Sequence, residues 1–370
     1  MPEVFNSVYF VTGGGTGGHI YPAMAVADAL TENGAKVYYV GNKRNMELHL
    51  AQEKGYKFLH VGISGMPRKL NPKFFYWGIR LIRAILYSIK YIKKYKPKAV
   101  FATGGYVSAP MLFACRITKT PYMLHDCDAM PGLVTRRFSK RAKYVSLAFE
   151  KAKKYIPNKR TIITGNPIRK EFEYLTKENA RNNLGLKNKL TLTIMGGSQG
   201  AKAINNTSVE ILKELIQDYG LQVIFQTGKK NYDETIEKLR YIYPAWEQEG
   251  NVLLKPYFDD MISVLKSSDI VISRAGSLSL SEICASGCAS ILVPYPYAAA
   301  NHQRINAKYM LENGASLYIE DKNLEPNSLR ELLLLIINNP VKMNYLKQNA
   351  SYLAKYNATE KIVECLEKIA

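Results

Sequence analysis

The sequence predicts an α/β protein made of two Rossmann-like domains, each built on a parallel sheet. The chain of 370 residues is long enough for two domains of ordinary size. Short β-branched or aromatic runs alternate with segments of helical periodicity, which is typical of a parallel sheet covered by helices. This alternation begins twice with a strand, a glycine-rich turn and a helix, at "FVTGGGTGGHI" and at "TLTIMGGSQGAK".

Each element follows from its local pattern. The strands predicted in the first half are 8–12, 36–41, 99–105, 121–126 and 144–148, and those in the second half are "LTLTIM", "LQVIFQTG", "NVLLKPY", "DIVISRAG" and "ASILVPY". Proline and glycine cluster near 157–170, which indicates a linker. We therefore predict a first domain at 1–160 and a second domain at 161–340. The helical tail 341–370 is a candidate to pack back on the first domain.

The positive charge is concentrated in the first half of the chain. Residues 1–160 contain 27 Lys and Arg against 8 Asp and Glu, whereas residues 161–370 contain 24 against 23. This asymmetry predicts that the first domain faces an anionic surface, either nucleic acid or anionic lipid.

The five cysteines follow no disulfide or metal-ligand spacing, so we interpret them as reduced thiols. The first residues do not resemble a signal peptide, and no stretch is apolar enough to span a membrane.

The glycine-rich turns predict binding of phosphate groups. Gly13, Gly15 and Gly18 satisfy G-x-G-x-x-G, but the acidic residue that a dinucleotide site needs after the second strand is missing from "VGNKRN". Glycines let backbone N–H groups approach a phosphate, and the following helix N-terminus adds positive potential. Because "GGSQGA" at 196–201 repeats the arrangement, two such turns predict a diphosphate ligand rather than tight turns alone.

His19 begins the helix after the first turn and is the first candidate for a general base. The positive end of a helix favours a neutral imidazole, which can accept a proton. A structural histidine is the alternative interpretation.

Seven motifs occur in an order that resembles one enzyme family. They are "GGGTGGHIYPAMAVADAL", "TGGYVSAP", "GNPIR", "GGSQGA", "FDDM", "SRAGSLSLSEICASG" and "NHQRINA". Together they resemble the MurG family, which transfers N-acetylglucosamine (GlcNAc) from UDP-GlcNAc to lipid I, forming lipid II for peptidoglycan. The resemblance implies a GT-B fold with two domains facing a cleft, inversion at the sugar, no cofactor and no catalytic metal. It implies that 1–160 is the acceptor- and membrane-facing domain and that 161–340 is the UDP-sugar-binding domain. It also implies a peripheral location on the cytoplasmic face of the cell membrane.

The resemblance also implies roles for individual residues. Glu282 would hold the ribose hydroxyls, Gln303 the transferred sugar, and Phe258 the uracil through its backbone. The turn and helix start at 277–282 would cover the diphosphate. The full set of implied substrate-binding residues is Thr16, Gly17, Gly18, Asp128, Arg169, Ser198, Phe258, Ser277, Leu278, Ser279, Leu280, Ser281, Glu282 and Gln303.

The chain departs from the family at "HDCDA", where "HEQNA" is usual. Asp128 replaces the asparagine expected at the sugar, and an ionised carboxylate only accepts hydrogen bonds, whereas an amide also donates. Asp128 and Asp126 are therefore further candidates for the base. Asp126, Cys127 and Asp128 also spell D-x-D, a metal motif of another glycosyltransferase fold, which the two glycine-turn domains argue against.

The stretch 68–98 predicts contact with an anionic membrane. It contains ten basic residues and no acidic one, together with more apolar side chains than one helix face can bury, Phe74 to Trp77 in particular. A core helix with a solvated charged face is the plainer alternative. A nucleic-acid-binding protein, a diacylglycerol glycolipid synthase and a GT-B sugar-nucleotide epimerase remain rivals, although the chain has no recognised nucleic-acid-binding motif.

Overall fold

The structure is a computed structural model that describes residues 7–43, 46–67, 72–197 and 199–370. It divides into two units, Met1–Ile168 with Asn357–Ala370, and Arg169–Tyr356. The predicted boundary at residue 160 falls short of this division, because strand Thr161–Ile163 pairs with the preceding strand and completes the first sheet. The predicted tail is divided as well, since helix Pro340–Leu353 belongs to the second unit and helix Ala358–Glu367 to the first.

The first unit contains a seven-stranded parallel sheet in the order β3-β2-β1-β4-β5-β6-β7. Its strands are β1 Val8–Thr12, β2 Lys36–Gly41, β3 Lys57–His60, β4 Ala99–Ala102, β5 Tyr122–Asp126, β6 Tyr144–Leu147 and β7 Thr161–Ile163. Its helices are α1 Gly17–Glu32, α2 Met46–Glu53, α3 Pro72–Tyr95, α4 Gly105–Thr118 and α5 Leu133–Ser139, with a 3-10 helix at Glu150–Tyr155.

The second unit repeats this plan with six parallel strands in the order β10-β9-β8-β11-β12-β13. Its strands are β8 Thr191–Met195, β9 Gln222–Gln226, β10 Val252–Lys255, β11 Ile270–Ser273, β12 Ala289–Leu292 and β13 Leu317–Tyr318. Its helices are α6 Glu171–Tyr174, α7 Lys177–Asn183, α8 Lys202–Gln217, α9 Tyr232–Ile242, α10 Trp246–Glu249, α11 Met261–Ser267, α12 Ser277–Ser286, α13 His302–Glu312, α14 Pro326–Ile337 and α15 Pro340–Leu353. The last helix of the chain, α16 Ala358–Glu367, lies in the first unit.

Helices cover both faces of each sheet, as the near-continuous apolar strands require. In the first unit, one core contains Phe10, Val100 and Leu124, and the other contains Tyr9, Phe101 and Met123 from the same strands. The second core also holds Ile362 and Leu366 of α16, which packs beside α1. The end of the chain therefore stabilises the unit that the beginning of the chain forms.

All ten predicted strands are present, but three short ones were missed. These are β3, β7 and β13, and each lies at the edge of its sheet. Edge strands are short and partly exposed, so their apolar pattern is weak.

Among the described helices, none combines the length and apolarity that crossing a bilayer requires. The helix α3 instead has two different apolar sides. Ala84 and Ile92 are buried, while an exposed stripe runs along Phe75, Ile79, Ile82 and Leu86, each at least 59 % exposed. The prediction that the helix cannot bury all its apolar residues is therefore confirmed.

Candidate active site

The winding of each sheet indicates where a ligand binds. The first strand of each unit lies inside its sheet, with β1 between β2 and β4 and β8 between β9 and β11. Open parallel sheets bind ligands outside the carboxyl ends of the strands where the winding changes direction. The segments after β1 and β4, and those after β8 and β11, are therefore the candidate binding regions of the two units.

The glycine loop 13–18 follows β1 and packs closely against the end of β4. A Cβ atom on Gly13 would lie 2.0 Å from Thr103 Oγ1 and 2.6 Å from the carbonyl oxygen of His19. The Tyr39 hydroxyl donates a hydrogen bond to the carbonyl of Gly13 at 2.6 Å. Thr16 caps α1 with its carbonyl, which accepts the N–H groups of residues 19 and 20 at 3.1 Å. Thr16 is exposed and Gly17 and Gly18 are half-buried, so the start of α1 is open to a ligand.

The His19 ring lies against two glycines that follow β4. Gly104 and Gly105 have φ values of +89° and +73°, which favour glycine, and a Cβ on Gly105 would lie 3.1 Å from His19 Cδ2 and 2.6 Å from the Gly14 carbonyl. The Thr103 hydroxyl donates to the His19 carbonyl at 2.6 Å. His19 is half-buried, so its ring is both oriented and accessible.

The "HDCDA" segment extends from β5 toward the same ring. Cys127 Sγ lies 3.9 Å from His19 Nδ1 and 3.9 Å from Asp128 Oδ2, so it links the two candidate bases. The Asp126 carboxylate turns inward and accepts the N–H groups of Asp128 at 3.2 Å and Gly132 at 2.9 Å. Burial, and next the charge of Asp128, raise the pKa of Asp126 to about 7. Its bonds to the backbone give Asp126 a role in shaping the segment.

His125, in the same segment, is a structural histidine. Its ring is fully buried and pairs with Ser146 Oγ at 2.9 Å and Asn166 Oδ1 at 3.0 Å. Burial lowers the pKa of His125 to about 4, so the ring is neutral. Through Asn166, the "GNPIR" motif is attached to β5 and β6.

In the second unit, the glycine loop after β8 packs on the loop after β9. A Cβ on Gly200, where φ is +76°, would lie 2.0 Å from the Thr227 carbonyl oxygen, and one on Gly228 would lie 2.5 Å from the Gln199 carbonyl oxygen. Gln226 binds both this loop and the segment after β10, because its amide donates to the Gly197 carbonyl at 3.3 Å and accepts the Phe258 N–H at 3.0 Å. The predicted phosphate contact Ser198 lies outside the described residues.

The helix α12 follows β11 and provides the second helix N-terminus. Its first turn contains Ser277, Leu278 and Ser279, and the N–H groups of a first helical turn lie at the positive end of the helix. The hydroxyl of Ser281 donates to the Ser277 carbonyl at 3.1 Å. Leu280 differs from its neighbours, because its side chain is fully buried and its N–H donates to the Gly276 carbonyl at 3.0 Å. The structure therefore gives the side chain of Leu280 a packing role.

Glu282 and Arg169 form an ion pair. Arg169 Nη2 lies 3.7 Å from Glu282 Oε1, and the glutamate side chain is only 17 % exposed. Burial raises the pKa of Glu282 to about 7, while the charge of Arg169 acts in the opposite direction. A carboxylate in this position can accept two hydrogen bonds from a diol.

Gln303 orients the loop that follows β12. Its Oε1 accepts the Tyr295 N–H at 2.9 Å. Arg274 holds the same loop from β11, donating to the carbonyls of Val293 at 3.1 Å and Pro294 at 3.3 Å and pairing with Asp321.

Within each unit, the structure brings together most of the predicted residues. Thr16 to His19 lie with Asp126 and Asp128, and Arg169 lies with Glu282 on α12. Five residues that hold the site residues in place had no predicted role: Thr103, Gly104, Gly105, Gln226 and Arg274. Each of these residues either ends a strand or lies within three positions after one. A polar residue or a pair of glycines at the end of a strand is the sequence signal that could have identified them.

Comparison with known proteins agrees with this arrangement. The model of the glycosyltransferase family 28 N-terminal domain matches residues 9–147, and that of the C-terminal domain matches residues 191–364. A protein of Desulforamulus reducens is 37 % identical over 97 % of this chain and 98 % of its own length. A protein of Thermoanaerobacter sp. is 36 % identical over 98 % of this chain and 99 % of its own. Both are named UDP-N-acetylglucosamine--N-acetylmuramyl-(pentapeptide) pyrophosphoryl-undecaprenol N-acetylglucosamine transferase.

The chain belongs to the MurG family of glycosyltransferases. Its structure is similar to the crystal structure of Acinetobacter baumannii MurG, with a TM-score of 0.79 and 27 % identity over 98 % of this chain and 99 % of that one. The predictions of the family and of two Rossmann-like domains of GT-B type are confirmed. A Neisseria meningitidis UDP-GlcNAc 2-epimerase has a TM-score of 0.68 at 15 % identity, which shows a shared fold alone.

Proposed function

We propose that this glycosyltransferase transfers GlcNAc from UDP-GlcNAc to the C4 hydroxyl of N-acetylmuramic acid in lipid I, forming lipid II. The observation that carries the proposal is the match to MurG relatives at 36 to 37 % identity over nearly their whole length. The reaction inverts the anomeric carbon. The acceptor oxygen forms the new glycosidic bond, the bond to the diphosphate breaks, and UDP leaves with its electron pair.

His19 is proposed to take the proton from the acceptor hydroxyl. The His19 ring is half-buried and packs against Gly104 and Gly105, and its Nδ1 atom faces Cys127. These contacts give the ring one orientation, in which a defined edge would face the substrate. Asp128 is the next candidate, because it is half-buried and lies at the other side of Cys127. Thr16, Gly17 and Gly18 would offer N–H groups at the start of α1.

The second unit is proposed to hold UDP. Glu282 would accept hydrogen bonds from the ribose hydroxyls, with Arg169 keeping its carboxylate oriented. The first-turn N–H groups at Ser277, Leu278 and Ser279, with Ser281 in the next turn, would stabilise the charge that develops on the diphosphate. Ser198 is proposed as a further phosphate contact on the family resemblance alone. The Phe258 N–H is already bonded to Gln226, so its carbonyl is the backbone group proposed for uracil. Gln303 would contact the transferred sugar.

The exposed stripe of α3 is proposed to dock on an anionic membrane surface, where the lipid acceptor lies. Phe75, Ile79, Ile82 and Leu86 recur at the spacing of one helix face. Exposed basic side chains, Lys73, Arg83 and Lys90 among them, lie on the same helix. Apolar side chains flanked by lysine and arginine suit the interface of an anionic bilayer. The proposed location is thus peripheral, on the cytoplasmic face.

The deciding experiment measures UDP release by the purified full chain in detergent. UDP-GlcNAc is supplied with lipid I, with diacylglycerol, and with neither acceptor. Release together with a new disaccharide lipid, with lipid I only, is the expected result. Release with diacylglycerol, or release with another UDP-hexose but none with UDP-GlcNAc, would contradict the proposal and favour the glycolipid synthase.

A further inference from the structure

Gln226 lies at the carboxyl end of β9, the end of the second sheet at which an open parallel sheet binds its ligand. It is the last residue of the strand and is only 3 % exposed. The parallel register places it beside Met195 of β8 and Lys255 of β10. The glycine loop follows the first of these neighbours and Phe258 follows the second, so Gln226 lies between two segments of the proposed UDP site.

The carboxamide of Gln226 joins these two segments. Its Nε2 donates to the Gly197 carbonyl at 3.3 Å, and its Oε1 accepts the Phe258 N–H at 3.0 Å. A carboxamide offers a donor and an acceptor side by side, and each of them here meets a backbone group of the opposite kind. The bond to Gly197 therefore fixes which way the amide faces, so that its oxygen, and not its nitrogen, meets Phe258.

Phe258 is held from two sides. Its ring is buried with Ile224 and Val264 in a small core, and its N–H is bonded to Gln226. Together these contacts set the direction of the Phe258 carbonyl, which is the group proposed for uracil. Uracil carries a hydrogen on N3 that this carbonyl can accept, whereas N3 of cytosine carries a lone pair that the carbonyl oxygen repels. The orientation of one peptide carbonyl can therefore separate the two pyrimidines.

We propose that Gln226 is a positioning residue that gives the nucleotide site its preference for uracil over cytosine. Its role is to act through Phe258 rather than to contact the nucleotide. By holding the Phe258 N–H, it directs the carbonyl of the same residue at the N3–H group of the base. The inference rests on the proposed function, in which the second unit holds UDP, and it names the residue that makes this unit select the base.

The test compares the dissociation constants for UDP and CDP, measured by calorimetric titration of the full chain. Gln226→Met keeps the length of the side chain but holds neither backbone group, so the preference for UDP should fall about fivefold or more. Gln226→Asn, whose amide is one carbon shorter and falls short of the Phe258 N–H, should lower the preference too and decides the matter if the methionine variant does not fold. Gln226→Glu still accepts the Phe258 N–H, so it should keep the preference within about twofold, whatever its effect on overall affinity.

Gln222 provides the matched control in the same strand. It is also buried, at 4 % exposed, and its amide also bonds on both sides, accepting the Lys187 N–H at 3.1 Å and donating to the Lys187 carbonyl at 2.7 Å. It lies at the amino end of β9, whereas ligands of such sheets bind at the carboxyl end. Gln222→Met should therefore lower the midpoint of thermal unfolding but leave the ratio of the two dissociation constants unchanged.

The outcomes separate this inference from the proposed function. A UDP preference that falls in Gln226→Met or Gln226→Asn, but not in Gln226→Glu or Gln222→Met, supports the inference. An unchanged preference in the first two variants, or an equal loss in all four, overturns it even if lipid II is formed. Equal affinity of the unmodified chain for UDP and CDP overturns it as well. If the unmodified chain binds no UDP, the proposed function fails and the inference fails with it.

Discussion

The two units share one plan but place different chemistry on it. Both have a glycine loop after the first strand, packed so closely on a neighbouring loop that a Cβ atom on Gly13 or Gly200 would lie 2.0 Å from its nearest neighbour. In the first unit that neighbour, Thr103, also positions the half-buried ring of His19. In the second unit, the neighbouring residues are the amide of Gln226 and the backbone of Thr227 and Gly228.

This difference separates proton transfer from binding. The first loop lies beside a histidine, a thiol and a carboxylate, all of which can hold or release protons. The second loop lies beside neutral hydrogen-bonding groups, which suit recognition of a nucleotide. Charge follows the same division, because residues 1–160 carry nearly all of the net positive charge. Mutations in the first unit should therefore change kcat or membrane binding, and mutations in the second should change nucleotide affinity.

The largest effect is expected from His19→Ala. General base catalysis contributes about 100- to 10,000-fold, so kcat with lipid I should fall within that range. The matched control is His49→Ala, because His49 belongs to the same unit and its side chain is 83 % exposed. The measurement is the initial rate of disaccharide lipid formation at saturating UDP-GlcNAc. A kcat within threefold of the unmodified chain would show that His19 is not the base.

The second prediction concerns Glu282→Gln and UDP affinity. Hydrogen bonds to a charged group contribute about 1.5 to 3 kcal/mol, so the variant should bind UDP about 10- to 100-fold more weakly at pH 8. Glu234→Gln, an exposed carboxylate of the same unit, is the control. Calorimetric titration with UDP measures both. Equal affinities for the variant and the unmodified chain would contradict the ribose role.

The raised pKa of Glu282 also predicts a pH dependence of UDP binding. Because burial raises this pKa to about 7, the free protein holds the carboxyl protonated below that pH, whereas the ribose hydroxyls require the ionised form. UDP affinity should therefore fall about tenfold from pH 8 to pH 6. The same shift affects stability, because the unfolded chain ionises this carboxyl from about pH 4.5 and the folded protein only near pH 7. The free energy of unfolding should therefore fall as the pH rises from about 4.5 to 7. Glu282→Gln should remove both dependences, and an unchanged pH profile in that variant would assign them to another group.

The fold was predictable because its signals are repeated and local. Apolar strands such as β1 and β8 are bounded by glycine loops, and the same pattern occurs in both units. The site was less predictable, because packing decides which residues reach a ligand. Leu280 lies in a motif with Ser279 and Ser281, yet its side chain is buried, and Gly105 has its role only because the His19 ring lies on it. Sequence spacing contains neither fact.

A smaller effect is expected from the exposed stripe of α3. Ile82→Ser with Leu86→Ser removes two large apolar side chains that are 61 % and 60 % exposed, so folding should be little affected. Losing about 1 kcal/mol or more of membrane burial for each should weaken binding to anionic vesicles about tenfold or more. Co-sedimentation with phosphatidylglycerol vesicles is the measurement. The control is Leu335→Ser with Val341→Ser, exposed apolar positions in the second unit. Equal losses in both double variants would mean that α3 is not the docking surface.

The smallest change is expected from Asp128→Asn, which introduces the asparagine that the family resemblance predicts at this position. An amide both donates and accepts hydrogen bonds, and it removes a negative charge that would repel the diphosphate. If Asp128 contacts the sugar, kcat/KM for UDP-GlcNAc should rise, by no more than about fivefold, and the preference over UDP-glucose should increase. Both ratios are measured with lipid I as acceptor. If Asp128 is instead the base, the same substitution lowers kcat at least 100-fold, because the amide cannot take a proton. The direction of the change therefore decides between the two groups that Cys127 joins, and it shows whether the first unit obtains its proton acceptor from α1 or from the end of β5.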